Sequence, residues 1–454
     1  MSPIVVGLLG FLTIASIVVT LFKSKTLPSI AFIVFPSILA IILVLGGYYS
    51  FENVGSLIKE GFKSTGPTAA LFVFSVLFFG IMSDAGMFDV IINQLMKLVG
   101  DNVMGVTIMT AVIATVAHLD GAGAATFCIV IPAMLPIYKK MHMRATTLLR
   151  IAVLSMGVLN LLPWAGPTMR AASVLGQDAG NLWKTVLPIQ IFGILLSLGN
   201  AFLAGIQEVK RGAGLNGDLA KKHGKVEVEE NKDNENSELA RPKLFVFNLI
   251  LTIIVIALLI WDKFPSYFPF MIGVAIAVLV NYTDIKLQKK VINLHAGPAL
   301  MMCSTLMSAA VLMGILVKTV TVNDVEIASV VSCMSNIITM ILPNALGSHL
   351  PLVIGILSVP LALAFDTDSY FYGMLPIMIG IGQQFKIAAL PIAIAMVVCR
   401  NCATFISPMV PATLLGVGLA EVDIKDHIKN SFLYVWGFSI ICLIFAVIIG
   451  IIPL

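Results

Sequence analysis

Residues 118–126 read His-Leu-Asp-Gly-Ala-Gly-Ala-Ala-Thr, in the middle of an otherwise apolar stretch from 104 to 138. Residues 366–369 read Asp-Thr-Asp-Ser and break a second apolar stretch, 349–384, in the same way. A straight spanning helix needs about 20 mostly apolar residues, and neither stretch has that many on either side of its break. Both are therefore read as helical hairpins that enter and leave a bilayer on the same side. Irregular backbone at membrane depth survives only where protein or water buries it, so each break implies a polar cavity.

The rest of the chain agrees with a membrane setting. Of 454 residues, 59% are hydrophobic and 11% charged, against roughly 25% charged in a soluble domain. Spanning helices are expected at 3–22, 27–47, 67–88, 149–178, 182–206, 244–261, 265–282, 297–318, 387–415 and 431–453, with interfacial amphipathic stretches at 90–103 and 325–346. No small-residue cleavage site follows 3–22, so that segment is read as a retained helix rather than a signal peptide. The lack of a transit or secretory segment points to a multi-pass protein of the cell (plasma) membrane. Net charge is +4, which gives no nucleic-acid signal; membrane lipid and a small solute are the expected partners. The six cysteines, 128, 303, 333, 399, 402 and 442, all fall in apolar segments and are read as buried small hydrophobes.

Residues 208–243 form the exception: polar, nearly without aromatics, and carrying eight Lys/Arg and eight Asp/Glu. Such a composition builds no core and reads as a solvated linker. It divides the chain into 1–207 and 244–454. The two parts repeat. Phe79-Gly80-Ile81 is matched by Met313-Gly314-Ile315, and Met134-Leu135-Pro136-Ile137 by Met374-Leu375-Pro376-Ile377. Pro163-Trp164-Ala165-Gly166-Pro167-Thr168 is matched by Pro408-Met409-Val410-Pro411-Ala412-Thr413.

Five crossings per half make the second half insert upside down. The expected fold is an all-α membrane protein of two inverted repeats, each with five transmembrane helices and one re-entrant hairpin. Placing the linker in the cytoplasm puts 20 Lys/Arg in inner loops and six outside, as the positive-inside rule requires.

Inverted repeats with interrupted helices point to a secondary transporter whose site lies near the midplane. In the first hairpin Asp120 suits a cation, while Gly121 and Gly123 bring backbone N–H groups to the turn and Thr126 follows in the helix beyond. Pro163 and Pro167 interrupt the next helix around Asn160, Gly166, Thr168 and Arg170, freeing carbonyls and offering a hydroxyl and a guanidinium to a carboxylate. The second half repeats the scheme with Asp366, Asp368 and Tyr370, then Asn401, Ser407 and Thr413. Asp120, Asp366 and Asp368 are the candidate ligands for a metal or coupling ion. Asp84 and Asp89 are read as helix-end capping groups, and His295 and His349 as interfacial.

An intramembrane enzyme would need a nucleophile–base pair or a metal triad such as HExxH, and the chain has neither. No catalytic residue is expected.

These motifs are similar to those of the citrate–divalent metal–proton symporter family, within a wider superfamily of inverted-repeat carriers. The resemblance runs from Pro67-Thr68-Ala69-Ala70 and Phe79-Gly80-Ile81-Met82-Ser83-Asp84 through Leu119-Asp120-Gly121 and Pro163–Thr168 to Asp368-Ser369-Tyr370-Phe371-Tyr372-Gly373 and Ser407–Thr413. It implies uptake of citrate or a related di- or tricarboxylate as its complex with a divalent metal of the magnesium or calcium class. It also implies proton symport and a homodimer with a moving transport domain. Family members usually carry a second Asp in the first hairpin, where this chain has Ala122; here the second hairpin gains Asp366. The alternative is a metal-independent or sodium-coupled organic-anion carrier of the same superfamily.

Overall fold

Helices are the form in which an apolar run satisfies its own backbone inside a bilayer. In the computed structural model, which describes residues 1–23, 26–100, 102–215, 217–219, 238–261, 263–322, 325–340 and 343–453, they account for nearly all of the secondary structure. Helices α1 (Pro3–Phe22) and α2 (Pro28–Leu45) each begin with proline in the first turn, where its missing N–H has no partner to lose. α3 (Phe51–Asp84) and α4 (Met87–Lys97) follow. The first hairpin is α5 (Val103–Ala117), a tight turn at His118–Asp120, and α6 (Gly123–Lys140). α7 (Ala145–Leu159) and α8 (Gly166–Leu175) form one interrupted crossing, and α9 (Ala179–Lys210) ends the first half.

The second half runs in the same order of elements. It comprises α10 (Phe245–Trp261), α11 (Tyr267–Asn281) and α12 (Ile285–Val317), a β1–β2 pair, and α13 (Val330–Thr339) and α14 (Asn344–Ser348). The second hairpin is α15 (Leu350–Ala362), a π-helical turn at Ser369–Met374, and α16 (Leu375–Gln384). α17 (Ala389–Cys402) and α18 (Pro411–Leu419) form the second interrupted crossing, and α19 (Ile424–Ile448) closes the chain. Eight helical segments among the described residues are long and apolar enough to span a membrane. Most of the expected 208–243 linker lies outside the described residues.

Three boundaries differ from expectation. α3 begins at Phe51 rather than 67, because Ser50 accepts from the Asn53 N–H at 3.1 Å and starts the helix upstream of Pro67. α12 begins at Ile285 rather than 297 for the same reason: Asp284 accepts from the Lys286 N–H at 2.9 Å, and Pro298 lies inside the helix. Within the expected amphipathic stretch 325–346, the first residues pair instead as an antiparallel ribbon of β1 (Val320–Val322) and β2 (Val325–Ile327), with Val320 opposite Ile327.

α3 and α12 make the most extensive helix contact in the molecule. Small residues allow it: a Cβ on Gly61 would lie 2.0 Å from the Ala310 carbonyl oxygen, and one on Gly314 would lie 2.5 Å from that of Leu57. The two backbones therefore touch directly, as close membrane-helix crossings require. α7 is buried on every side from Thr147 to Leu159, and α17 from Ile392 to Cys402; helices apolar all round belong in a protein interior. On α1, by contrast, Ile4, Leu8 and Leu12 form an exposed stripe, and α10 exposes Ile250, Ile253 and Ile254. Such apolar exposed faces suit lipid. The first limbs of the two interrupted crossings, α7 and α17, thus lie inside, and α1 and α10 lie at the periphery.

Candidate functional site

The first hairpin turns because Gly121 adopts φ 73°, which a side chain disfavours. Asp120 Oδ1 accepts from the Ala122 N–H at 2.8 Å and closes the turn, leaving its other oxygen uncommitted to that bond. Thr126 donates to the Ala122 carbonyl at 2.9 Å and shares a 2.7 Å hydrogen bond with His118 Nδ1. His118 is fully buried, and its Nε2 lies 3.2 Å from Asn160 Oδ1. The hairpin tip is thereby tied to the first helix break. Trp164 adds a second tie, donating from Nε1 to the Leu119 carbonyl at 2.7 Å.

At that break the expectation of free carbonyls is corrected for Asn160. Its carbonyl oxygen accepts from Thr168 Oγ1 at 2.7 Å and from Asn401 Nδ2 at 2.9 Å, so both lone pairs are engaged and the two breaks are joined through them. Arg170 differs from expectation as well. Its Nε donates to Asp368 Oδ1 at 2.6 Å, with both side chains nearly buried. Gly166 makes room for this guanidinium, since a Cβ there would lie 2.7 Å from Arg170 Nη1. The two groups proposed for opposite tasks, one for a carboxylate and one for a cation, neutralise each other across the two halves.

In the second hairpin Asp366 Oδ2 accepts from the N–H groups of Asp368 at 2.9 Å and Ser369 at 3.3 Å, capping the π-helical turn. Tyr370 is fully buried and shares a 2.6 Å hydrogen bond with Ser358 Oγ, so it holds α15 rather than facing a cavity. Ser407 Oγ donates to the Ala362 carbonyl at 2.5 Å and its oxygen accepts from the Met409 N–H at 3.2 Å. Gly123 sits under the Phe405 ring: a Cβ there would lie 2.3 Å from it. Thr413 is buried with its hydroxyl unpaired.

Both hairpin tips and both breaks thus meet in one place. Thr413 Oγ1 is one of a group of orphans there, with Asn160 Nδ2, Ser369 Oγ, Asn401 Oδ1 and Arg400 Nε. Buried polar atoms are nearly always paired, so such a concentration marks where a polar ligand's atoms belong. A surface cavity of about 500 Å³ lies elsewhere, lined by Lys63, Gln177, Asn181 and Lys263 among others, and its lining includes none of the residues at the breaks.

Among the described residues no group of three or more His, Cys, Asp or Glu side chains is arranged to hold a metal. Asp120 and Asp366 offer one carboxylate each, which suits a cation that brings its remaining oxygen ligands with it. The sequence reading missed several participants. Arg400 was visible only as a charge inside an apolar run. His118, Trp164 and Phe405 carried no signal of their own beyond their position at the breaks. Asp84 and His295, singled out separately in the sequence, meet each other: His295 Nε2 and Asp84 Oδ2 lie 2.8 Å apart between α12 and α3. Of the cysteines, 333, 399, 402 and 442 are buried, Cys303 is intermediate and Cys128 is exposed, because α6 turns that face outward.

The described geometry has counterparts among known proteins. The citrate transporter family matches residues 4–399. A citrate transporter of Bacillus subtilis (strain 168) is 34% identical over 446 residues, covering 98% of this chain and 99% of that protein. The Mg(2+)/citrate complex secondary transporter of the same organism is 32% identical over 429 residues, covering 93% of each. Among solved structures the YdaH transporter of Alcanivorax borkumensis superposes with a TM-score of 0.55 over 87% of this chain and 88% of that one, at 12% identity, which speaks to the fold alone.

Proposed function

The chain belongs to the citrate transporter family, and on that premise we propose that it takes up citrate at the cell membrane as a complex with a divalent metal, driven by protons. It is a multi-pass transporter and not an enzyme. The observation that carries the substrate reading is the convergence of two hairpin tips and two helix breaks on one buried polar cluster, holding Asp120 and Asp366 on one hand and guanidinium and hydroxyl groups on the other. A metal–citrate complex presents the matching pair of surfaces, a partly coordinated cation and free carboxylate oxygens. The metal enters as part of the substrate, so a site with few protein carboxylates is adequate to it.

In this reading Asp120 and Asp366 meet the cation, and either takes the coupling proton when the cargo leaves. Arg170 and Asp368 hold the first break against the second hairpin, and Gly121 and Gly123 let the first tip approach closely. The two halves, 1–207 and 244–454, act as inverted repeats about the cluster, and the protein works as a homodimer.

Uptake of labelled citrate into proteoliposomes tests the proposal, run without metal and with magnesium, calcium or zinc, with and without an inward proton gradient. Uptake that requires both metal and gradient is expected. Uptake indifferent to metal would replace the complex with free citrate as cargo, and uptake driven by sodium alone would remove the proton.

A further inference from the structure

The centre of the molecule holds two guanidinium groups, and they are in different situations. Arg170 has an acidic partner at 2.6 Å. Arg400 forms no ion pair among the described residues and is fully buried, on a helix with no exposed face from Ile392 to Cys402. Its contacts are weak for a charge: Nη1 donates to Thr404 Oγ1 at 3.3 Å, Nη2 donates to the Phe365 carbonyl at 3.3 Å, and Nε has no partner. The Tyr370 ring lies 5.7 Å from its central carbon. Charged hydrogen bonds are ordinarily 2.7–2.9 Å, so neither of the two contacts is at the length a guanidinium makes with an anion.

Asp366 acts on Arg400 only through space, not at ion-pair distance, and a buried cation with no direct counter-ion is among the costliest arrangements a protein can keep. It persists where an anion arrives to complete it. The neighbours agree with that. Asn401, the next residue, has an unpaired Oδ1, and Ser369 Oγ beyond the second hairpin tip is unpaired too. Phe365, whose carbonyl Arg400 touches, immediately precedes Asp366, a candidate for the cation.

We infer that Arg400, rather than Arg170, is the residue that receives a carboxylate of the substrate, giving up the Phe365 carbonyl to do so. Two consequences follow. The exchange removes one of the contacts that hold the tip of the second hairpin at the moment cargo binds, linking occupancy to that tip. It also sets specificity, because a fork of five N–H donors in one plane favours a planar bidentate anion. This inference rests on the transporter reading given above.

The test is a mutant–ligand cycle on the purified full-length protein in nanodiscs, with binding measured by titration calorimetry in the presence of magnesium. Citrate is compared with malate, which lacks one carboxymethyl arm, on the wild type, Arg400→Gln and Arg400→Lys. Arg400→Gln is expected to weaken citrate by roughly 10- to 100-fold, the scale of one lost charged hydrogen-bonding group. It should weaken malate much less, since the missing arm has already lost that partner. Arg400→Lys keeps the charge without the fork and should fall between them; it carries the cycle if Arg400→Gln does not fold. Equal losses for the two ligands would place Arg400 on a carboxylate they share, whereas an unchanged citrate affinity, in whichever variant folds, would overturn the assignment of Arg400 while leaving citrate binding in place. Failure of the wild type to bind either ligand would instead remove the substrate reading on which the assignment stands.

Discussion

Arg170 and Asp368 are 198 residues apart in sequence and meet at 2.6 Å inside the membrane region. Removing one partner leaves the other charged and desolvated, an arrangement that costs about 3–5 kcal/mol in buried pairs, whereas removing both leaves neither stranded. Arg170→Gln or Asp368→Asn alone is therefore expected to lower the thermal midpoint of the purified protein by several degrees. The double variant should recover most of the loss. If the double variant melts as low as either single, the stabilisation comes from something other than the mutual charge of the two groups. Transport separates two roles for Asp368: a purely structural carboxylate predicts that the double variant regains some uptake, while a carboxylate that also meets cargo predicts that it stays inactive. The structural role was not legible in the sequence. The sequence marked both residues as intramembrane charges, but a pairing between halves leaves no local trace, and each was assigned to the solute instead of to the other. The Asp84–His295 contact, 211 residues apart, was hidden for the same reason.

Among the elements, the two hairpins and two interrupted crossings were readable because a polar or proline-rich break in an apolar run has few explanations. Proline misled where it sat inside a helix. Helices were expected to start at 67 and 297, at or beside Pro67 and Pro298, while the serine and aspartate caps upstream decided the real boundaries. What the sequence could not place was the contact between the first hairpin and the second break. There Phe405 lies edge-on to His118 and Phe127, with ring centroids 5.3 and 5.7 Å apart, and closes over Gly123. The fit tolerates no added carbon without a shift. Gly123→Ala is expected to cost about 1–3 kcal/mol, the usual range for overpacking a filled core, and to slow transport by displacing the hairpin tip. Gly123→Ala combined with Phe405→Leu should restore much of both. A Gly123→Ala protein with unchanged melting and uptake would show that the ring swings away freely and that the contact positions nothing.

At the scale of the whole molecule, contacts between side chains tie particular loops together. At one end the loop at 139–144 meets the chain ahead of α19 and the end of α9, while the far edge of the linker meets α11 and α12. Lys139 pairs with Glu421 at 2.9 Å, Arg144 with Glu208 at 2.7 Å, Lys290 with Glu238, and Arg241 donates to the Asn281 carbonyl at 2.9 Å. The other end joins Lys63, the 176–178 turn and Lys263 around a single cavity, with Asp178 accepting from Ser266. Lys139, Arg144, Arg241 and Lys290 are among the 20 basic residues assigned to the cytoplasm, and Lys63 and Lys263 among the six assigned outside. Each basic residue near an anionic leaflet is worth about 1 kcal/mol, so reversing the orientation would carry a large penalty. The charge count thus favours the orientation proposed, with the linker in the cytoplasm. Single cysteines at Lys63, Lys184 and Lys263, in a background lacking the exposed Cys128, should react with a membrane-impermeant maleimide on intact cells. Cysteines at Lys139, Lys210 and Lys290 should react only after the membrane is opened. A reversal of both sets would invert the whole protein and leave the repeats intact. Labelling of Lys63 and Lys263 from opposite sides is incompatible with the cavity they share, and would break the inverted-repeat arrangement itself.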